Sequence, residues 1–295
     1  MNTKKILLAL LCLTAFISSC KDDKSDQDPV TPAQPMLIFK FAFDSTQVRL
    51  DNFGRKCTVP AGHGALSPVF NSISAHYIEL AQDSLTLLGS GKVLYRAPET
   101  NLGGSLAIDF NQSRVVHEGE TFFSVPLQDV TPGTYRWLRV SLAYQNYDVP
   151  LRSAGFDFTG TLASFIGFNT YITTFSPKNH PVQLNANRAQ GYWAFEMNIF
   201  GTDTVFQGQA PGTTVPNPIS ATSPIPAGSC VVTGAFQNGA LTISGNESQD
   251  MVVNVSLSNN KSFEWTDANG NNIYEPPSDT VVDMGIRGMI PYIVH

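Results

Sequence analysis

Alternating apolar and polar positions near the start of the chain predict a β-strand. Phe39, Phe41 and Phe43 are separated by Lys40 and Ala42, so one face of an extended segment is strongly apolar. A period of two residues indicates a half-buried strand, because successive side chains of a strand point to opposite faces of the sheet.

The same period recurs along the chain. It is clearest in Thr134–Ala143, which follows a Pro132–Gly133 turn signal, and is present in Ile73–Leu80. Further strands are predicted at 106–110, 121–126, 163–175, 191–200, 230–236, 239–244, 251–257 and 261–265. No long segment keeps a helical period with good helix formers. The chain therefore predicts an all-β fold, an antiparallel β-sandwich of the immunoglobulin or jelly-roll kind, with residues 36–295 as its single main domain.

A segment rich in proline and threonine interrupts this pattern at residues 209–228. It contains five prolines together with many small polar residues. Such a composition is typical of a linker or a long surface loop. We interpret it as a loop, because the residues that follow are few for an independent sandwich.

The N-terminus has the pattern of an export signal. Lys4 and Lys5 precede an apolar run from Ile6 to Ile17, which two serines separate from Cys20. The run is shorter than the roughly 20 residues that span a bilayer, and it matches a secretory signal. The last four residues, Ile-Ser-Ser-Cys, resemble the lipobox of bacterial lipoproteins. That resemblance implies removal of residues 1–19 and acylation of Cys20. The alternative is an ordinary cleaved signal in which this cysteine is incidental.

The residues after Cys20 indicate a flexible tether and a location in the cell. Lys21, Asp22 and Asp23 resemble the acidic export tag that directs some lipoproteins to the outer face of the outer membrane, although a solvated tether is the simpler alternative. Residues 20–35 have too few apolar side chains to form a core. We therefore expect an outer-membrane lipoprotein exposed at the cell surface, whose first partner is the membrane that holds its anchor.

The net charge bears on the binding partners, and the cysteine content bears on disulfide formation. The formal net charge is −6, which disfavours nucleic acid because phosphates call for basic patches. Once the signal is removed and Cys20 acylated, Cys57 and Cys230 are the remaining thiols. An oxidising compartment favours a disulfide between them. Two separate buried thiols are the alternative.

The strongest metal-binding pattern lies at residues 267–279. Calcium loops of the EF-hand type take oxygen ligands at positions 1, 3, 5 and 7 and a distal acid. The matching residues, with positions 1, 3, 5, 7 and 9 first, are Asp267, Asn269, Asn271, the carbonyl of Ile273, Glu275 and Asp279. Position 12 is Ser278, so the distal acid is displaced by one residue. The stretch resembles the calcium loops of secreted repeat domains.

A plain hairpin is the alternative interpretation of this segment. Asn269–Gly270 is a signal for a type I′ turn, and Phe263–Trp265 before it would be the incoming strand. The sequence leaves the two interpretations open.

Catalytic motifs are weak. The histidines show neither HExxH nor close spacing, and GxSxG does not occur in the chain. We therefore expect a protein that is not an enzyme, with a surface hydrolase acting on glycans or esters as the alternative. The three tryptophans and many phenylalanines fit a sandwich core better than a sugar-binding face.

Several phrases resemble the copper-binding MbnP-like domain of exported bacterial proteins. They are Leu37–Phe43, Asn71–Leu80, Phe123–Tyr135, Gly191–Met197 and Leu241–Gly245. The resemblance implies a β-sandwich and copper handling, for which His76, inside a predicted strand, is the candidate ligand.

Taken together, these features predict a lipid-anchored surface module for binding or structural roles, stabilised by calcium, with a glycan or protein as its ligand. A copper-handling protein or a hydrolase is the alternative.

Overall fold

The computed structural model describes residues 34–51, 55–212, 217 and 219–294. The predicted signal peptide, the acylated Cys20 and most of the predicted tether lie outside these residues. From Gln34 onwards the chain forms one compact unit.

The described chain is all-β, as the alternating pattern predicted. Its only helical segments are two single 3-10 turns, Phe110–Gln112 and Leu127–Asp129. Within the described residues, no helix has the length and apolar content needed to cross a membrane. The strands are β1 Met36–Asp44, β2 His63–Leu66, β3 Val69–Ala81, β4 Lys92–Arg96, β5 Glu99–Thr100, β6 Ala107–Asp109, β7 Thr121–Pro126, β8 Gly133–Tyr135, β9 Trp137–Ser153, β10 Phe156–Phe165, β11 Asn169–Phe175, β12 Val182–Ala189, β13 Tyr192–Ile199, β14 Thr202–Gln209, β15 Cys230–Ala235, β16 Leu241–Ile243, β17 Met251–Ser258, β18 Phe263–Thr266, β19 Thr280–Asp283 and β20 Met289–Val294.

Two large sheets form the frame of the molecule. The first has the strand order β20-β17-β1-β7, and the second has the order β14-β13-β10-β9-β3-β4. Smaller sheets of order β12-β11-β6-β5, β19-β18-β2 and β16-β8 complete the fold. Most pairs are antiparallel, as predicted, but β1 pairs with β17 and β6 with β11 in parallel.

The apolar side chains at alternate positions of β1 pack into the core between the two large sheets. Leu37, Phe39 and Phe41 are completely buried. They share one hydrophobic cluster with residues of β3, β9 and β17, among them Ile73, Ile78, Leu138, Val140, Leu142, Val253 and Val255. Each fully buried side chain of this size contributes about 1.5–3 kcal/mol, so this cluster is the main source of stability.

Strand β9 is 17 residues long and changes partners along its length. Its first part pairs with β15 and its second part with β10, while β3 covers the other edge. In the second part, Tyr144 packs under β11 and β12, whereas Tyr147 and Val149 pack against β18. Odd and even positions thus face two different cores, because successive side chains point to opposite faces. This arrangement explains why residues 138–147 are all buried.

The prediction of a single strand at 163–175 is wrong. It breaks at 166–168, where the amides of Ile166 and Gly167 both donate to the carbonyl of Ala143. A Cβ atom on Gly167 would lie 2.4 Å from Cδ1 of Ile108, so a larger residue here would have to displace that side chain. The chain then leaves the large sheet and continues as β11 in a smaller one.

The predicted strand at 134–143 also differs from the structure. The amide of Arg136 donates to the carbonyl of Ala81, and this residue separates the short β8 from β9. The strand then continues ten residues beyond Ala143, because β10 provides a long antiparallel partner.

The predicted disulfide between Cys57 and Cys230 is not formed, since both thiols are free. The amide of Cys57 donates to the carbonyl of Arg49 in a loop, whereas Cys230 begins β15 opposite Leu142. Burial, with a smaller effect from the nearby Asp283, raises the pKa of the Cys230 thiol to about 12. The structure thus has two separate thiols, the second of them unreactive at neutral pH.

The segment predicted as a proline-rich loop joins β14 to β15. Apart from Gln209, which ends β14, its described residues contain no strand. The hydroxyl of Ser223 donates to the carbonyl of Leu88 at 2.8 Å, so the segment packs on the loop that follows β3.

Candidate functional site

The segment 267–279 is a 13-residue connection between two paired strands. In this pair Thr266 lies opposite Thr280, and Trp265 opposite Val281. Phe263–Thr266 is thus the incoming strand of a hairpin, as the alternative interpretation predicted, but the hairpin does not turn at Asn269–Gly270. A type I′ turn needs positive φ at both central residues. Here Gly270 and Asn272 have positive φ, at 75° and 57°, and Asn269 does not.

Side-chain oxygens at alternate positions of this loop accept hydrogen bonds from amides further along it. Asp267 accepts from the amides of Gly270 and Asn272, at 2.9 and 2.7 Å. Asn269 accepts from the amide of Asn271 at 3.0 Å, and Asn271 from that of Ile273 at 2.7 Å. These bonds wind the backbone so that the side chains at positions 1, 3 and 5 are held on its inner side.

Three of the predicted ligands converge on one point. Oε2 of Glu275 lies 2.6 Å from Nδ2 of Asn269 and 2.9 Å from Nδ2 of Asn271. The two amide nitrogens face Glu275, and the two side-chain oxygens accept from backbone amides, so a cation at this point would require both side chains to turn and to exchange those bonds for metal ligation. The loop therefore gathers one carboxylate and two amides, and the oxygens of such groups are the ligands that calcium prefers.

Asp279 has a different role in this arrangement. Its two oxygens accept from the amides of Ala268 and Glu275, at 3.1 and 2.7 Å, so it closes the base of the loop. Asp279 is also buried. The carboxylates of Asp267, Glu275 and Asp279 do not form a group whose oxygens all lie within 4.8 Å of one another. The charge at the convergence point thus comes mainly from Glu275.

The loop is attached firmly to the body of the protein. Tyr274 packs on Phe263 and Trp265, with ring centroids 5.1 and 5.6 Å apart. Its carbonyl accepts from the amide of Arg152 at 2.8 Å. Burial, with the charge of Asp279, raises the pKa of Tyr274 to about 12, so the phenol stays neutral. Stiffening the loop would therefore stiffen the end of β9.

The loop lies at the hairpin end of the fold, which we define by the turns Ala154–Gly155 and Phe200–Gly201. All four turn residues have positive φ, as two-residue hairpins require. Phe156 and Phe200 are 54% and 72% exposed, and their rings meet edge to face at 5.0 Å. Phe158 adds a third ring 5.7 Å from Phe200. The three rings form a small aromatic group in which Phe156 and Phe200 are exposed.

The chain enters β1 at the other end of the long sheet. The carbonyl of Pro35 accepts from the amide of Leu127, which shares a cluster with Tyr135 immediately before β9. At its far end β1 reaches only the middle of β9, where Phe43 stacks on Phe70 and Phe70 on Tyr147. Since 17 residues of extended chain span up to about 55 Å, the hairpin end lies far from Pro35.

His76, the candidate copper ligand, is a buried structural residue in β3. Its Nε2 lies 2.9 Å from Oε1 of Glu99, and its ring stacks on Phe168 at 5.3 Å. Its Nδ1 is buried without a hydrogen-bond partner. Burial lowers the pKa of His76 although Glu99 opposes this, so the ring is neutral. His76 does not belong to any group of three metal-ligating side chains among the described residues.

One group of that kind was missed by sequence reasoning. His180, Glu196 and Asp203 place one ligand atom each within 4.8 Å of the others. They come from a loop and two strands, so no local spacing indicates them. Glu196 lies near Asp203 because β13 pairs with β14. A hairpin signal at Phe200–Gly201 would suggest this pairing.

A scan against protein-family models and searches of curated proteins and of solved structures found no significant match for this chain.

Proposed function

We propose that this protein is an exported, lipid-anchored binding module that is not an enzyme, and that its 267–279 loop binds calcium. The observation that carries the proposal is the convergence of Glu275 with Asn269 and Asn271, within a loop wound by Asp267. Calcium would be held by oxygens of these four residues, with the Ile273 carbonyl as the predicted fifth ligand. Its charge would offset that of the two carboxylates and stiffen the hairpin end.

The position of the anchor supports a binding role at that end. An acylated Cys20 would be joined through residues 21–35 to the end of the fold where β1 begins. The hairpin end would then point away from the membrane, with its exposed aromatic rings. Exposed aromatic side chains suit a glycan or a protein partner, which are the ligands expected at a cell surface.

Calcium should raise the melting temperature of the protein by several degrees relative to chelator. Binding to the native state alone stabilises by about 2.7 kcal/mol when calcium is at 100 times its Kd. Asp267→Asn should abolish the shift, because it removes the predicted first carboxylate ligand and weakens the hydrogen bonds that shape the loop. Asp83 is a matched control, since it accepts from the amides of Leu85 and Thr86 in an exposed turn. Asp83→Asn should keep the full shift.

Equal melting curves of the wild type in calcium and in chelator would refute the calcium site. A shift that survives in Asp267→Asn would place the ion elsewhere.

The anchor is tested separately from the loop. Expressed in a bacterium with its signal sequence, the wild type should partition into the detergent phase and incorporate labelled palmitate, because two or more acyl chains hold a protein stably in a membrane. Cys20→Ser should do neither. Equal partitioning of the two proteins would contradict acylation.

Copper handling is the second candidate, based on the resemblance to MbnP-like domains. It has less support, because Glu99 occupies Nε2 of His76 and the two residues belong to no group of three metal-ligating side chains among the described residues. Loss of copper binding in a folded His76→Ala variant would favour it. Turnover of a glycan or ester would favour the hydrolase alternative.

A further inference from the structure

A second cluster of metal-ligating side chains lies at the hairpin end and is separate from the 267–279 loop. His180 belongs to the loop between β11 and β12, Glu196 to β13 and Asp203 to β14. Glu196 is buried, whereas His180 and Asp203 reach the surface. An ion could therefore enter from solvent and find one ligand already held inside the protein.

The distances in the cluster suit a small divalent ion. Nδ1 of His180 lies 2.9 Å from Oε1 of Glu196 and 3.8 Å from Oδ2 of Asp203. A metal bound at about 2.1 Å to nitrogen and oxygen ligands holds neighbouring ligand atoms about 3.0–3.5 Å apart. The observed separations lie on either side of that range, so movements of a few tenths of an ångström would complete the set.

The two carboxylates are positioned by other groups. Glu196 accepts from the amides of Lys178, Asn179 and His180, at distances of 2.9 to 3.2 Å. These bonds fix the carboxylate and the loop that carries His180. Asn198 donates to Oδ1 of Asp203 at 2.7 Å, which leaves Oδ2 facing His180. Such supporting hydrogen bonds orient the ligands of metal sites.

The electrostatics also favour a cation between these groups. The hydrogen bond that His180 donates to Glu196 raises the pKa of His180. Desolvation opposes this shift, and the charges of Glu196 and Asp203 add to it. Burial alone would raise the pKa of Glu196, but its hydrogen bonds from His180 and the loop amides lower it instead. Two carboxylates thus lie beside one imidazole, and a bound dication would offset their charge.

We propose that His180, Glu196 and Asp203 bind a divalent transition-metal ion of the zinc class. The ion takes Nδ1 of His180 and one oxygen from each carboxylate, and solvent water completes its coordination. The proton on Nδ1 leaves to solvent as the metal binds. One imidazole with two carboxylates suits a borderline ion such as Zn²⁺, whereas the all-oxygen 267–279 loop suits calcium. The two sites are independent.

Zinc titration of the purified protein tests this site by calorimetry. We expect one Zn²⁺ per chain in the wild type, with proton release that changes with the ionisation enthalpy of the buffer. His180→Ala and Asp203→Asn should each weaken zinc binding at least tenfold. Both changes lie at exposed positions and leave Glu196 with its backbone partners, so the fold should survive, as circular dichroism would verify.

A matched control is His117→Ala. His117 is exposed and close in sequence to Glu118 and Glu120, yet it belongs to no group of three ligands. This variant and Asp267→Asn should bind zinc as the wild type does. No zinc binding by the wild type, or undiminished binding by folded His180→Ala, would overturn the proposal.

Discussion

Two histidine–glutamate pairs in this protein have the same separation and opposite electrostatics. His76 with Glu99 and His180 with Glu196 each place a ring nitrogen 2.9 Å from Oε1. The side chain of His76 is fully buried, whereas that of His180 is 49% exposed. Burial lowers the pKa of His76, and the hydrogen bond to Glu196 raises that of His180. Desolvation, and not contact distance, decides the sign.

The surroundings of each pair extend this difference. Glu99 also forms an ion pair with Arg96, which weakens the effect of the Glu99 charge on His76. His180 has a second carboxylate, that of Asp203, and lies in a solvent-accessible position. The first pair is therefore part of the core, and the second has the properties of a ligand-binding site.

Replacing each histidine by alanine should give the largest difference in stability between the two pairs. His76→Ala should lower the free energy of unfolding by about 2–3 kcal/mol, since it leaves a cavity beside Phe168 and removes a partner of Glu99. His180→Ala should cost clearly less, because its ring is half-exposed and the backbone bonds of Glu196 remain. Urea denaturation of both variants measures the difference. Equal losses would mean that the exposed pair is as structural as the buried one.

The stability contributed by the two pairs should change with pH in opposite directions. This effect should be smaller than that of the alanine substitutions. The pKa of His76 lies below its ordinary value of 6.5, so its contribution to stability is present above pH 6.5 and is lost as the pH falls towards the folded pKa. The pKa of His180 lies above 6.5. Its contribution is present below pH 6.5 and is lost as the pH rises through the folded pKa.

NMR titration of the imidazole resonances reads these values directly. We expect the His180 ring to titrate above pH 6.5 and the His76 ring below it, or not before acid unfolding. The His180 value should return towards 6.5 in Asp203→Asn and stay unchanged in Asp83→Asn. Coincident titration of the two rings would contradict the role assigned to burial.

Local sequence was sufficient for parts of the fold and of the candidate site. The alternation of Phe39, Phe41 and Phe43 identified β1, because a period of two has one structural meaning. The spacing of Asp267, Asn269 and Asn271 identified a structured loop, because hydrogen bonds over two to five residues depend on neighbours in the chain. Where the outcome depended on distant residues, prediction failed. The 163–175 segment breaks where the amides of Ile166 and Gly167 both donate to the carbonyl of Ala143, which lies in another strand.

The amino-acid sequence by itself determined the all-β class, the main strands and the pattern of the 267–279 loop, because each follows from periods and turns within a few residues. Only the tertiary structure decided that Cys57 and Cys230 stay apart, that β9 serves two cores, and that His180, Glu196 and Asp203 meet. The physical reason is that burial and long-range pairing arise from the whole packed chain. The same histidine–glutamate contact can thus be a neutral part of the core or a charged pair at the surface.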